Sequence, residues 1–320
     1  MKNPWEAIKT PAKDVSALRI NSEHPLELFW AKDHLGRYLL IYEYPSKSNI
    51  IIKDPPNLEG IETITSLSDN STVRLILILN DKVDWELFYS LCYDLLRATL
   101  HSKSPETASA IILSRLRRWQ NFLKKKRPNV LPEEKIKGLI GELLFIRNNL
   151  TPKYGCSDAI KFWRGPEGSP QDFSINQIAV EVKCQMGGST PNIKISSADQ
   201  LYTQLAELYL FVVTMGKSDD SNKDSINLNQ LVNHIQILLD KESSSSISRF
   251  EDLLMEAGYV YNDKYEDYNY VISGFQVFQV LENFPRIISA DLKPGIIKVS
   301  YSISLAECAP YEVELKNWTF

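Results

Sequence analysis

Cysteine is scarce in this 320-residue sequence: Cys92, Cys156, Cys184 and Cys308 stand far apart, with no C-x-x-C pair among them. That excludes a disulfide framework and a cysteine-built zinc site, and fits a reducing cytoplasm. Histidine is as sparse, and His24, His34, His101 and His234 supply neither an H-E-x-x-H helix nor a close pair, so zinc hydrolysis has no ligand set. A serine nucleophile elbow is missing too. Gly216-Lys217-Ser218 follows an apolar stretch, but the upstream glycine of a phosphate-binding loop falls at Phe211, which excludes nucleotide binding there. The longest aliphatic run, Leu75 to Leu79, is far short of the roughly 20 residues of a membrane helix. The N-terminal MKNPWEAIKTPAKD has no apolar signal core, so a soluble, cytoplasmic protein is expected.

Nor is there an excess of charge of one sign. Lysine and arginine number 36 against 40 aspartates and glutamates, a net charge of −4, so a polyanion has to be met by a local patch. What is present is apolar substance: 43% hydrophobic and 10% aromatic residues, enough for a large core. On about 150 residues per domain the length predicts two or three domains. The pattern divides into a β-rich N-terminal domain (1–104), an α/β core (105–225) and an α/β C-terminal extension (226–320). The expected strands include Leu26 to Trp30, Tyr38 to Tyr44, Val73 to Leu79, Leu208 to Thr214, Tyr270 to Leu281 and Ile296 to Leu305. The expected helices run from Asp84 to Leu100, Pro105 to Arg127, Glu133 to Asn148, Leu228 to Leu239 and Ile247 to Ala257. The last fifteen residues of the second helix carry seven lysines and arginines and no acid.

Chemistry concentrates in Ser169-Pro-Gln-Asp172 and the residues that follow it. From Ile178 to Lys183, Ile178, Val180 and Val182 alternate with Ala179, Glu181 and Lys183, so a strand sends both charges to one face. A two-residue turn at Asn176-Gln177 pairs Ile175 with Ile178 and Phe173 with Val180, and by extension sets Asp172 opposite Glu181. Opposed carboxylates repel unless something neutralises them. A hard dication such as Mg²⁺, which favours carboxylate, water and phosphate oxygens, serves that purpose, with Lys183 beside it. A third carboxylate, Glu142, shares a helix face with Gly138, Leu139, Phe145 and Ile146. A buried acid there needs a partner, and the small Gly138 and Gly141 let the helix approach a sheet closely.

A helical Glu142, Pro170-Gln-Asp172 and Glu181-Val-Lys183 together resemble the PD-(D/E)XK nuclease superfamily, to which many restriction endonucleases and DNA-repair nucleases belong. The chain departs from the family's pattern in having Pro-Gln-Asp in place of Pro-Asp. From about 105 to 305, including Phe284-Pro-Arg-Ile287 and Val299-Ser-Tyr301, it is also similar to a bacterial group named for this motif and found beside DNA-modification genes. The resemblance implies an α/β, restriction-endonuclease-like mixed sheet flanked by helices. It implies a Mg²⁺- (or Mn²⁺-) dependent DNA endonuclease in host defence that leaves 5′-phosphate and 3′-hydroxyl ends. Asp172, Glu181 and Glu142 would be the metal ligands, and Lys183 would orient or deprotonate the attacking water. DNA is the implied partner, with other subunits of a modification or defence system and a second copy of the chain as further partners and no membrane.

Arg115, Arg118, Lys125 and Arg127 of the basic helix, and Gln200 after the hairpin, are the candidate DNA contacts. The plain alternative for the helix is a solvated amphipathic face, and for the hairpin a surface salt bridge, which leaves Glu142 unexplained. The rival to an enzyme is a catalytically silent DNA-binding or assembly subunit on the same fold.

Overall fold

Alternating apolar residues near the N-terminus pair into an antiparallel sheet. In the computed structural model, residues 2–46, 52, 55–68, 71–125, 128–188, 190–242 and 244–318 are described. Among them, β1 (Val15–Arg19), β2 (Glu27–Asp33), β3 (Tyr38–Pro45), β4 (Ile61–Ser68) and β5 (Thr72–Leu79) form a sheet in the order β1-β2-β3-β5-β4. The sequence pattern reveals β2, β3 and β5. The edge strands β1 and β4 escape it because an edge strand needs no continuous apolar face. Two helices follow, α1 (Trp85–Thr99) and α2 (Pro105–Lys124). Ser104 caps α2 by accepting from the Thr107 amide, and Pro105 occupies its first turn.

The chain divides into two compact units, residues 1–129 with 260–262 and residues 130–259 with 263–320. This differs from the expected boundaries at 104 and 225. The basic helix α2 belongs to the N-terminal unit, where it packs on α1. The C-terminal extension, in turn, supplies strands to the sheet of the second unit.

That second unit starts with α3 (Glu133–Phe145), which passes through a π turn (Ile146–Leu150) into the short helices α4 (Thr151–Tyr154) and α5 (Cys156–Lys161). The strands β6 (Phe173–Ile175), β7 (Ile178–Met186), β8 (Asn192–Ile195) and β9 (Glu207–Ser218) follow, then helices α6 (Leu228–Asp240) and α7 (Ser244–Ala257). The chain ends with β10 (Asn269–Gln279), β11 (Tyr301–Ser304), α8 (Leu305–Cys308) and β12 (Glu312–Val313). The sheet order is β12-β10-β9-β7-β6, with β7 and β9 parallel and the other neighbours antiparallel, while β11 pairs with β8 in a separate ribbon. The architecture is therefore a mixed α/β sheet flanked by helices. The strand expected from Ile296 to Leu305 is reduced to β11, because only Tyr301 to Ser304 find a partner in β8.

Alternation sorts the sheet's two faces. Val180, Val182, Phe211 and Val213 pack with Phe145 and other residues of α3, α5, α6 and α7 in one core. Ala179, Leu210 and Val212 pack against Ile193, Ile195 and Ile303 of the β8–β11 ribbon in another. The hairpin turns at Asn176, whose φ of 53° is the left-handed conformation that a tight two-residue turn requires, and the expected pairs Ile175↔Ile178 and Phe173↔Val180 form. Helix α3 lies so close to β7 that a Cβ on Gly141 would collide with Cys184 Sγ and come within 3.3 Å of Val182 Cγ1. Gly138, credited with the same role from sequence, has open space around it.

The two glycines should therefore respond oppositely to alanine. Gly138→Ala is expected to stabilise the protein by about 0.5–1 kcal/mol through helix propensity, whereas Gly141→Ala should destabilise it by about 1–3 kcal/mol through overpacking. Urea denaturation of the two variants checks this, and equal midpoints would show that α3 is not held at contact distance.

Candidate active site

The short strand β6 creates the site. Its ladder with β7 stops at Phe173↔Val180, one residue before the expected pairing of Asp172 with Glu181. Instead, the Asp172 carbonyl accepts from the amides of Arg164 (2.8 Å) and Gly165 (3.0 Å). The Val182 amide lies beyond the end of the ladder, and Asp172 Oδ2 accepts its hydrogen bond at 2.8 Å. A backbone donor that would otherwise be orphaned thus fixes the carboxylate at the sheet edge.

Glu142 reaches that edge from α3. The indole of Trp163 donates to Glu142 Oε2 at 2.7 Å. A Cβ built on Gly165 would lie 2.8 Å from Asp172 Oδ1 and 3.6 Å from Glu142 Oε2, so both carboxylates face one small space kept clear by a glycine. Glu181 stands on the opposite sheet face from Val180 and Val182 and is 0% exposed, whereas Asp172 and Glu142 keep part of their surface open. Lys183 Nζ is 2.6 Å from Glu181 Oε1. Apart from that ion pair, neither buried Glu181 oxygen has a hydrogen-bond partner among the described residues.

Three acids around one lysine leave the site short of positive charge, and the protonation equilibria follow. Burial, with the Asp172 carboxylate next, pushes Glu142 up to about 8. Burial raises Asp172, and burial followed by Asp172 holds Glu181 well above the usual carboxylate range. Burial alone would lower Lys183, but the attraction of Glu181, Asp172 and Glu142 outweighs it and raises the lysine above its ordinary value. Cys184, one residue further on, is no nucleophile. Its thiol donates to the Lys137 carbonyl, and burial, with Glu142 next, pushes it up to about 12.

Gln200 also belongs to this group. Its Oε1 accepts from Lys183 Nζ at 3.2 Å and from the Ser196 amide at 2.7 Å. The turn Ala198–Leu201 that carries it is held by Gln171, the residue that breaks the Pro-Asp pattern. The Gln171 carboxamide donates to the carbonyls of Asp199 (2.7 Å) and Tyr202 (2.8 Å). The departure from the motif is therefore a brace. Ser197, which precedes that turn, makes no side-chain cap bond to it. Spacing carries no sign of Trp163 or Gly165, whose partners come from distant elements; their trace in the sequence is the aromatic and glycine cluster from Phe162 to Gly165.

The other candidate DNA contacts lie on α2, in the other unit. Arg115 is committed locally: its Nη1 donates to Asp94 Oδ1 at 3.0 Å, and Trp119 Nε1 donates to Oδ2 of the same residue at 2.9 Å, so Arg115 is not a free phosphate ligand. Arg118 is half-buried, Lys125 is exposed at the end of the helix, and Arg127 lies outside the described residues.

Among the described residues no three histidine, cysteine, aspartate or glutamate side chains stand at the spacing of a preassembled metal site. The donor set still fits a hard dication. The donors are all carboxylate oxygens, two of them buried on Glu181 with no partner but the Lys183 ion pair among the described residues, and their mutual repulsion falls when a cation enters.

A mixed sheet bearing Asp172, Glu181 and Lys183, with a helical glutamate at its edge, defines the PD-(D/E)XK nuclease-like class. The chain belongs to the family described as "Putative PD-(D/E)XK family member (DUF4420)", which matches residues 1–306 and so takes in the N-terminal unit as well as the stretch from 105 to 305. No curated protein and no solved structure matches it. No helix among the described residues is long and apolar enough to cross a membrane.

The raised carboxyl values make a signed prediction for the metal-free protein. The folded state holds protons that the unfolded state releases near the ordinary value of 4.5, so stability is full below that pH and falls as pH rises through about 8. Each bound proton costs up to about 1.4 kcal/mol per pH unit in this window. Glu142→Gln should flatten the fall and exceed wild type in stability at the alkaline end. Urea titrations at a series of pH values with a chelator present check this, and superimposable pH profiles would mean Glu142 carries no strain.

Proposed function

We propose that this protein is a metal-dependent deoxyribonuclease that hydrolyses DNA phosphodiester bonds. The observation that carries the reading is the buried, under-compensated group of Asp172, Glu181 and Glu142 beside Lys183. In this reading the three carboxylates hold Mg²⁺ or Mn²⁺, and such an ion, when bound, polarises a phosphoryl oxygen and acidifies water. Asp172 is pinned by the Val182 amide and Glu142 by the Trp163 indole, so both present oxygens without further ordering. Lys183 retains its proton because of the surrounding acids. It therefore serves as a cation that orients water and offsets charge building on the phosphate, in preference to a general base. Gln200 shares the lysine with Glu181 and limits where its ammonium points.

A setting in host defence, with subunits of a DNA-modification system as partners, belongs to the same reading and rests on the family resemblance. A silent DNA-binding subunit is the rival, and the presence of all four side chains favours the enzyme.

Thermal shift with MgCl₂ and MnCl₂, together with plasmid nicking on modified and unmodified DNA, tests the proposal. Wild type should be stabilised by either metal and should cut. Asp172→Asn should lose most of both effects, whereas Lys183→Ala should keep the metal-induced shift and lose about 100-fold or more in kcat. Cleavage that persisted in an Asp172→Ala, Lys183→Ala double variant would place the chemistry elsewhere. A wild type that binds DNA and metal yet never cuts would favour the silent subunit.

A further inference from the structure

Several cations of this unit are already committed to acids. Lys137 pairs with Glu134 at 2.6 Å, Lys217 with Glu133 at 2.9 Å, and Arg164 with Glu167 at 3.0 Å. Two cations at the margins of the site differ. Neither Lys135 nor Arg286 forms an ion pair with any described residue, although the protein as a whole is acidic.

Their positions are defined by geometry. Lys135 lies seven residues before Glu142 on α3; at 100° per residue this is the same helix face, about 10 Å along the axis. Its charge is felt by both Glu142 and Asp172. Arg286 approaches from the other side. Its Nη1 donates to the Leu201 carbonyl at 2.7 Å, and the preceding residue, Gln200, is the one that contacts Lys183. The Tyr301 phenol feels the charges of both Arg286 and Lys183, and its hydroxyl accepts from the Ile287 amide, next to the arginine. Among the described residues only one nitrogen of the Arg286 guanidinium is used, leaving the rest of its donor fork open. Lys135 is exposed and Arg286 half-exposed.

A polyanion that brings a phosphate to an acid-rich site meets net repulsion unless cations flank the point of approach. We propose that Lys135 and Arg286 are the two phosphate contacts that seat the DNA strand across the carboxylates, one on each side of Lys183. This rests on the nuclease reading and names the surface by which that site takes its substrate. It draws on residues of the same compact unit as the carboxylates, with no contribution from α2. Arg286 makes the more specific contact, since a guanidinium fork matches phosphate oxygens in pairs, while Lys135 acts as a point charge.

The test is DNA binding as a function of salt, read by fluorescence anisotropy on a fluorescein-labelled duplex of mixed sequence, with Ca²⁺ in place of Mg²⁺. Each neutralised phosphate contributes about 0.9 to the slope of log K against log [salt]. Lys135→Gln and Arg286→Gln should each reduce the slope by about 0.9, and the double variant by about 1.8. Arg286→Lys should retain the slope, and Lys161→Gln, whose charge is spent on Asp158 at 2.6 Å, should not alter it. Circular dichroism confirms folding. Lys135 is exposed, so its variant keeps the test open if Arg286→Gln does not fold. Equal slopes for wild type and double variant, or a wild type that fails to bind the duplex, would overturn the proposal. Cleavage with unchanged slopes removes the strand path and leaves the nuclease. Slopes that fall as stated without any cleavage by wild type remove the nuclease and leave the path.

Discussion

Three carboxylates share one ammonium in a space largely closed to water, and much of the second unit is arranged around that imbalance. Burying an acid costs several kcal/mol unless hydrogen bonds or a countercharge replace its hydration. The protein supplies the replacements one at a time: the Val182 amide for Asp172, the Trp163 indole for Glu142, and Lys183 for one oxygen of Glu181. The supply stops short at Glu181, which has no partner beyond that Lys183 ion pair among the described residues. A fold selected for stability alone would place an apolar residue there, as it does at the neighbouring Val180 and Val182. The retained charge is the local conflict expected where a site takes precedence over packing.

The scaffold answers a second demand, which is to bring acids from opposite faces of a sheet to one sheet edge. A full-length β6 would wall Glu142 off from Asp172. A three-residue β6 leaves an open edge, and Gly165, which no side chain fills, lies against that opening. Gly141 brings α3 near enough to β7 for Glu142 to reach around the edge. On the other face, Gln171 ties the Ala198–Leu201 turn to the strand start, and Arg286 ties it to the C-terminal segment, so Gln200 meets Lys183 from a turn held at two points.

The local parts of this arrangement were legible in the sequence because their causes are local. Strand alternation set Glu181 and Lys183 on one face, and the Asn176-Gln177 turn set the hairpin register; both depend on neighbours a few residues apart. Glu142 was visible as a polar intrusion in an apolar stripe. The point where pairing stops was not visible, so Asp172 was expected across from Glu181, whereas the end of the ladder sends its carboxylate to the Val182 amide. The basic helix was assigned to the core by adjacency along the chain, and its apolar stripe is instead used in the other unit. The commitment of Arg115 is invisible in the sequence because its partner Asp94 lies on a different helix. The tie from Arg286 to the Leu201 carbonyl has no trace in the sequence, since one arginine after a proline has no periodicity to betray it.

The acids of the site come from a helix, a strand edge and a strand interior, and the chain joins Glu142 to the others only after α3 has docked on the sheet. In the unfolded chain they are separated and hydrated, so their repulsion belongs to the folded state. Strain that is absent from a folding transition state leaves the folding rate nearly untouched and shortens the lifetime before unfolding. Whatever neutralises the carboxylates then acts as a kinetic clasp, lengthening the interval between openings in which a protease can gain hold. The same geometry that leaves Glu181 with a lysine as its sole partner among the described residues would thereby tie the abundance of the protein to the occupancy of its site.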